Sequence, residues 1–209
     1  MLIQMKVSEF LKELKSNSSA PGGGSVSALA GSLGAALALM VGHLTLPLEK
    51  YKDQKEEVLA LQSELDPLLV SLEQCIDDDT EAFNKVMQAF RLPKEADAEK
   101  AQRTAAIQEA MKGAAELPYM VAENSLKVLK LSTRMLQIGN TNAASDAAVA
   151  GRMAYAAVWG AIYNVRINLT SIKDEAFNTK MRNQITNLLT ENEKALAILI
   201  QNADEKIPE

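Results

Sequence analysis

The 209-residue chain has one cysteine, Cys75, and one histidine, His43. A lone cysteine excludes an intramolecular disulfide and fits a reducing compartment; within LEQCIDDD it reads as a small buried hydrophobe rather than a nucleophile. A lone histidine leaves a metal site short of ligands. Helical zinc and di-iron sites use Glu-x-x-His spacing, and Met40 stands where that glutamate would be, so neither a metal nor a separate cofactor is expected. His43 itself reads as an exposed or satisfied helix-end residue. Basic clusters are also missing. The chain carries 22 Lys and Arg against 27 Asp and Glu, a net charge of -5 with a sequence pI of about 5.1, which argues against a nucleic-acid partner.

Long apolar runs are equally scarce. The run from Val26 to Gly42 is marginal for a bilayer span, which takes ~20 predominantly apolar residues, and much of it is Ala, Gly or Ser. The preceding MLIQMKVSEFLKELKS is mixed in charge and helix-patterned, unlike a signal peptide. A soluble, cytoplasmic protein with no membrane partner is the expectation. Nucleotide loops fail on context: no Gly-Lys-Ser/Thr follows Gly22–Gly24, Ser27 replaces the third glycine of a dinucleotide fingerprint, and a helix pattern precedes the turn where a strand is required. What remains is a permissive turn in which the glycines can take positive φ and Ser25 caps the next helix.

Helical periodicity dominates a composition that is 47% hydrophobic. It predicts helices over Val7–Lys15, Ser25–Leu44, Tyr51–Phe90 with a kink or fresh start at Pro67, Lys94–Leu136 interrupted at Pro118, Asn142–Ser171 and Lys173–Gln201, followed by the polar tail NADEKIPE. Short connections make this an all-α, antiparallel bundle of about six helices, one domain over residues 1–209. Small residues stripe the second helix (Ser27, Gly31, Ala35, Ala38, Gly42) and the fifth (Ala143, Ala147, Ala150, Ala154, Ala157, Ala161), which lets backbones approach closely. The fifth is also apolar on its far side through Tyr155, Trp159 and Tyr163. A helix apolar all round is expected to be buried, which points to a homodimer.

Two acids fall on apolar faces. Asp79 shares a face with Leu72, Cys75, Ile76, Phe83, Val86 and Phe90; Asp146 shares one with Asn142, Val149, Met153, Gly160, Asn164 and Asn168. An inward carboxylate is costly unless paired or lining a wet pocket. A register-fixing buried group explains any one of them, whereas two acids with several amides favour a shared site.

The segments PGGGSVSALAGSLGAALALMV, DDDTEAFNKVMQA, GNTNAASDAAVAGRMA and NVRINL, in this order, resemble the formiminotetrahydrofolate cyclodeaminase and methenyltetrahydrofolate cyclohydrolase family, in the stand-alone form of the cyclodeaminase domain. The resemblance implies a helical homodimer acting on a tetrahydrofolate derivative through carboxylate acid/base chemistry. Asp146 is the first choice for the proton carrier and Asp79 the second. Asn142, Ser145, Asn164 and Asn168 would hold the substrate, with Gly22, Gly23, Gly24 and Ser25 bringing backbone and helix dipole close to an anionic folate. A non-catalytic helical scaffold is the rival reading. Where relatives in this resemblance carry Tyr, Phe83 stands here.

Overall fold

The structure, a computed structural model, describes residues 1–207. Six α-helices follow in order: α1 Val7–Leu14, α2 Gly23–Thr45, α3 Lys55–Phe90, α4 Asp97–Ile138, α5 Ala144–Leu169 and α6 Glu175–Lys206. Short 3-10 turns precede α1, α3 and α5, and there is no strand among the described residues. The expected all-α bundle is therefore the fold. A single hydrophobic core runs from Phe10 to Leu199 and draws on every α-helix.

Several expected boundaries shift, each for a physical reason. Neither proline interrupts its helix: α3 runs through Pro67 and α4 through Pro118. A proline inside a helix costs ~3 kcal/mol through its missing N–H and ring clash. Burial of Leu65 and Leu72 on α3, and of Ala115, Val121 and Ala122 on α4, holds both flanks against the core and offsets that cost. The last helix begins where Asp174 caps Phe177 N–H at 3.0 Å, and it does not stop at Gln201. It continues to Lys206, whose ammonium donates to the Gln137 carbonyl near the end of α4 at 3.0 Å. Most of the expected polar tail is thus helical; its last two positions, 208 and 209, lie outside the described residues.

The centre of the bundle is the antiparallel pair α2 and α5. Their small-residue stripes are buried, and the backbones nearly touch: a Cβ at Gly34 would lie 2.8 Å from the Ala150 carbonyl oxygen, and one at Gly160 would overlap the Ser27 hydroxyl. α2 reaches 23 residues, long and apolar enough by length and composition to cross a membrane, which corrects the marginal length read from the sequence. Most of its apolar window is buried within the bundle instead, against α3, α4 and α5.

The outward flank of α5 also departs from expectation. Tyr163 is 59% exposed, and Tyr155 and Trp159 are half-buried, both donating to the Glu193 carboxylate on α6. Within one chain this flank faces outward, because the alanine stripe together with Val158, Ile162 and Val165 fills the inward side. Val149, Met153, Ala156, Gly160, Tyr163 and Ile167 recur on it every three or four residues, as do Val26, Ala30, Leu33, Leu37, Met40 and Leu44 on the neighbouring flank of α2.

Packing this close makes a clear stability forecast. Gly34→Ala should destabilise by ~1–3 kcal/mol, since the added methyl meets backbone that cannot rotate away. Gly113→Ala on α4 meets nothing within 4 Å and should stabilise by ~0.5–1 kcal/mol through helix propensity. Urea unfolding of the two variants checks the opposite signs.

Candidate active site

The first turn of α2 creates the site. Gly22, extended at φ -134°, is its N-cap, so the helix starts at Gly23 and Ser25 is its third residue rather than its cap. No glycine in the chain has positive φ, so the expected left-handed turn is absent. The glycines serve close approach instead. A glycine N-cap has no side-chain oxygen to offer the open N–H groups of the first turn. Asp79 supplies it from α3: its Oδ2 accepts Ser25 N–H at 2.9 Å and the Ser25 hydroxyl at 3.0 Å. Any Cβ at Gly24 would collide with this carboxylate, lying 2.5 Å from Asp79 Cγ.

Oδ1 of Asp79 accepts no hydrogen bond from the described residues, and Asp79 is among the residues lining a cavity of about 280 Å³. Burial pushes the Asp79 carboxyl above its ordinary range, against the opposing effect of the Ser25 hydroxyl and N–H. One oxygen is thus fixed and the other carries a proton at higher pH than a surface aspartate would.

Across the cavity, α5 presents two amides. Asn164 Nδ2 donates to the Gly160 carbonyl at 2.8 Å, and its amide would lie 3.1 Å from a Cβ at Gly23. Asn168 Nδ2 donates to the Ala114 carbonyl at 2.6 Å, tying α5 to α4. Each amide thus commits one of its two N–H donors and keeps its carbonyl oxygen, which can accept from a ligand's N–H groups. Phe83 and Val86 from α3 and Met111 and Ala114 from α4 close the apolar wall. Phe83, expected in the core with Phe90, is in fact 36% exposed at this wall.

Gly22, Gly23, Gly24, Asp79, Asn164 and Asn168 therefore meet at one cavity, with Ser25 behind Asp79. Asp146, Asn142 and Ser145 do not join them. They sit at the opposite end of α5, and the eighteen residues from Asp146 to Asn164 span ~27 Å of helix. Asn142 and Ser145 are exposed there, and Val149 is 49% exposed, so the stripe read as inward is the boundary flank of α5. The expected anion site at the start of α2 changes too, because Asp79 already occupies the positive end of the dipole. Met111 and Ala114 left no sequence signal, being ordinary apolar residues of a long helix. His43 is exposed, and no group of three potential metal ligands exists among the described residues.

Comparison with known proteins identifies the scaffold. Residues 6–187 match the family model described as formiminotransferase-cyclodeaminase. The chain belongs to this family. It is 38% identical over 88% of its length to a methenyltetrahydrofolate cyclohydrolase from Methylorubrum extorquens, covering 89% of that protein. It is 32% identical over 98% of its length to the formimidoyltransferase-cyclodeaminase of Rattus norvegicus, of which it spans 38%. The crystal structure of formiminotetrahydrofolate cyclodeaminase from Thermotoga maritima superposes with a TM-score of 0.87 at 26% identity, over 98% of both chains.

The raised Asp79 carboxyl sets the sign of a pH effect. The native state holds this proton more tightly than the unfolded chain, so the associated stability is full below the unfolded pKa and is lost as pH rises through the folded one. Asp79→Asn should flatten that slope in thermal melts across the acid-to-neutral range; an unchanged slope would remove Asp79 as its source.

Proposed function

We propose that the chain is a folate one-carbon enzyme that uses Asp79 as general acid/base at the carbon carried between N5 and N10 of tetrahydrofolate. The observation that carries this reading is a half-buried carboxyl at a cavity, one oxygen anchored and the other without a protein donor, with two amides lining the same cavity, in a chain of this family. In cyclodeamination, N10 attacks the carbon of the protonated formimino group on N5, and the C=N electron pair passes to its nitrogen, leaving an amine on the tetrahedral carbon. Asp79 takes the N10 proton and returns it to the departing nitrogen; ammonia leaves and the methenyl bridge remains. Asn164 and Asn168 would accept hydrogen bonds from the pterin. A rival non-catalytic scaffold gains nothing from burying Asp79 at a cavity rather than pairing it fully.

Cyclohydrolysis needs the same carboxyl in the same place. Water attacks the methenyl carbon and Asp79 accepts one of its protons; Asp79 then returns that proton to N5 as the N5–carbon bond breaks, and the adduct's hydroxyl proton leaves to solvent as the formyl carbonyl forms, giving 10-formyltetrahydrofolate. The favouring observation is the 38% identity to the Methylorubrum cyclohydrolase over nearly that protein's whole length. Incubation of purified protein with 5-formiminotetrahydrofolate and, separately, with methenyltetrahydrofolate distinguishes the two by appearance or loss of methenyl absorbance. Asp79→Asn should lower kcat by ~10²-fold or more on whichever substrate turns over, with folding retained. Normal turnover by that variant would leave Asp79 as a helix cap only.

We also propose that the apolar flanks of α2 and α5 pair with a second copy. A two-fold axis across these antiparallel helices would set the Asp146 end of each copy beside the glycine-turn end of the other, giving Asp146 its catalytic role in trans. Mixing inactive Asp79→Asn and Asp146→Asn proteins should then restore activity, because one site of the mixed dimer keeps both acids. No recovery after subunit exchange defeats the trans role, and a monomeric mass at micromolar concentration defeats the pairing itself.

A further inference from the structure

Beside the Asp79 cavity, along α3, lies a polar cleft of about 520 Å³; Ser19, Ala20 and Phe83 line both. Thr80, Asn84, Gln88 and Arg91 border this cleft, recurring every three or four residues and so forming one stripe of the helix. The stripe has one cation and no acid. Arg91 makes no ion pair among the described residues, in contrast to Lys112 and Arg134, which are held by Asp174 and Glu57. Its neighbour Arg103 is committed to the Phe90 carbonyl through two donors, at 3.2 and 3.1 Å. The Thr80 hydroxyl is buried and finds no hydrogen-bond partner. A buried hydroxyl left alone is costly in a finished structure, and Thr80 is one of the residues lining the cleft.

Resting on the folate reading above, we infer that this cleft is the subsite for the carboxylate-bearing glutamate end of the substrate, with Arg91 as its cation. Electrostatics at the reaction end exclude the alternative placement. Asp79 occupies the start of α2 and repels a second carboxylate there. The larger groove on the other side of α3, about 770 Å³, sets Asp78, Glu81 and Glu109 against Lys85 alone. Of these three spaces, the Arg91 cleft is the one that offers an anion a positive group without an acid on its wall. The spacing agrees. Twelve residues separate Asp79 from Arg91, ~18 Å of helix, and the arginine side chain leans back toward the N-terminus. From N10 across the aminobenzoyl ring and amide to the glutamate carboxylates is on the order of 10 Å at ordinary bond lengths. Phe83, at the junction of cavity and cleft, is placed to lie against the aminobenzoyl ring.

The test compares methenyltetrahydrofolate with methenyltetrahydropteroate, which lacks the glutamate, or the matching 5-formimino pair if deamination is the active reaction. Arg91→Gln should raise KM for the glutamate-bearing substrate about ten- to hundredfold, the range for a charge-assisted contact, with kcat and melting temperature near wild type. On the pteroate the variant should match wild type, whose own KM should already be raised. Arg91→Lys, which keeps the charge without the bidentate fork, should recover part of the loss. Equal KM for the two wild-type substrates, or an equal effect of Arg91→Gln on both, overturns the subsite while leaving the folate reading intact. A wild-type protein that turns over none of these substrates overturns both.

Discussion

A carboxylate from one helix caps the start of another, and the geometry of the site follows from that contact. α2 begins on Gly22, which has no side chain to satisfy its first turn, and Asp79 reaches across from α3 to accept Ser25 N–H and hydroxyl. Only a glycine at position 24 permits the approach. The contact fixes α3 against α2 at the level of the cavity and spends one carboxylate oxygen, leaving the other without a donor from the described residues. It also sets opposing influences on the carboxyl: the Ser25 donors favour the anion while burial favours the acid, and burial prevails. A structural cap and a proton carrier are, in this arrangement, the two oxygens of one group.

The small-residue stripes make that contact possible. Gly34 against the Ala150 carbonyl, Gly160 against Ser27 and Gly23 against Asn164 draw α2 and α5 together along their antiparallel length. Close helices exclude water from the back of the site, which is what raises the Asp79 carboxyl. They also carry Asn164 and Asn168 to the cavity wall, with Asn168 tied to α4 through Ala114. The same pair leaves apolar flanks on its outer side. Inner and outer faces of α2 and α5 thus do different work: alanine and glycine set the spacing within the chain, while Val26, Leu33, Val149 and Tyr163 face outward.

Charge is arranged with similar economy. The chain is acidic overall, with a net charge of -5, yet the cleft leading from Asp79 to Arg91 has no acid along its wall. The larger groove on the opposite side of α3 is acidic. A single helix therefore separates two environments of different sign, because α3 turns Asp78, Glu81 and Lys85 to one side and Thr80, Asn84 and Arg91 to the other, with Gln88 bordering both.

The sequence by itself determined the helical class, the number of helices and the partners α2 and α5, because periodicity and runs of small residues are local properties that packing can only exploit. It also marked Asp79, since a carboxylate among Leu72, Cys75, Ile76 and Val86 is anomalous in any helical arrangement. Helix ends were less legible: Pro67 and Pro118 read as breaks, but burial on both sides outweighs the local penalty. Tertiary structure alone decided which polar residues meet. Asp146, Asn164 and Asn168 share one face of α5 in projection, and projection discards distance along the axis, so Asp146 lies ~27 Å from Asn164 and farther still from Asn168. It likewise decided what the three glycines do. Sequence reading gave them turn conformations, whereas the fold uses the missing Cβ of Gly24 to admit Asp79, because a carboxylate 54 positions away in the chain is brought there only by the packing of α3 on α2.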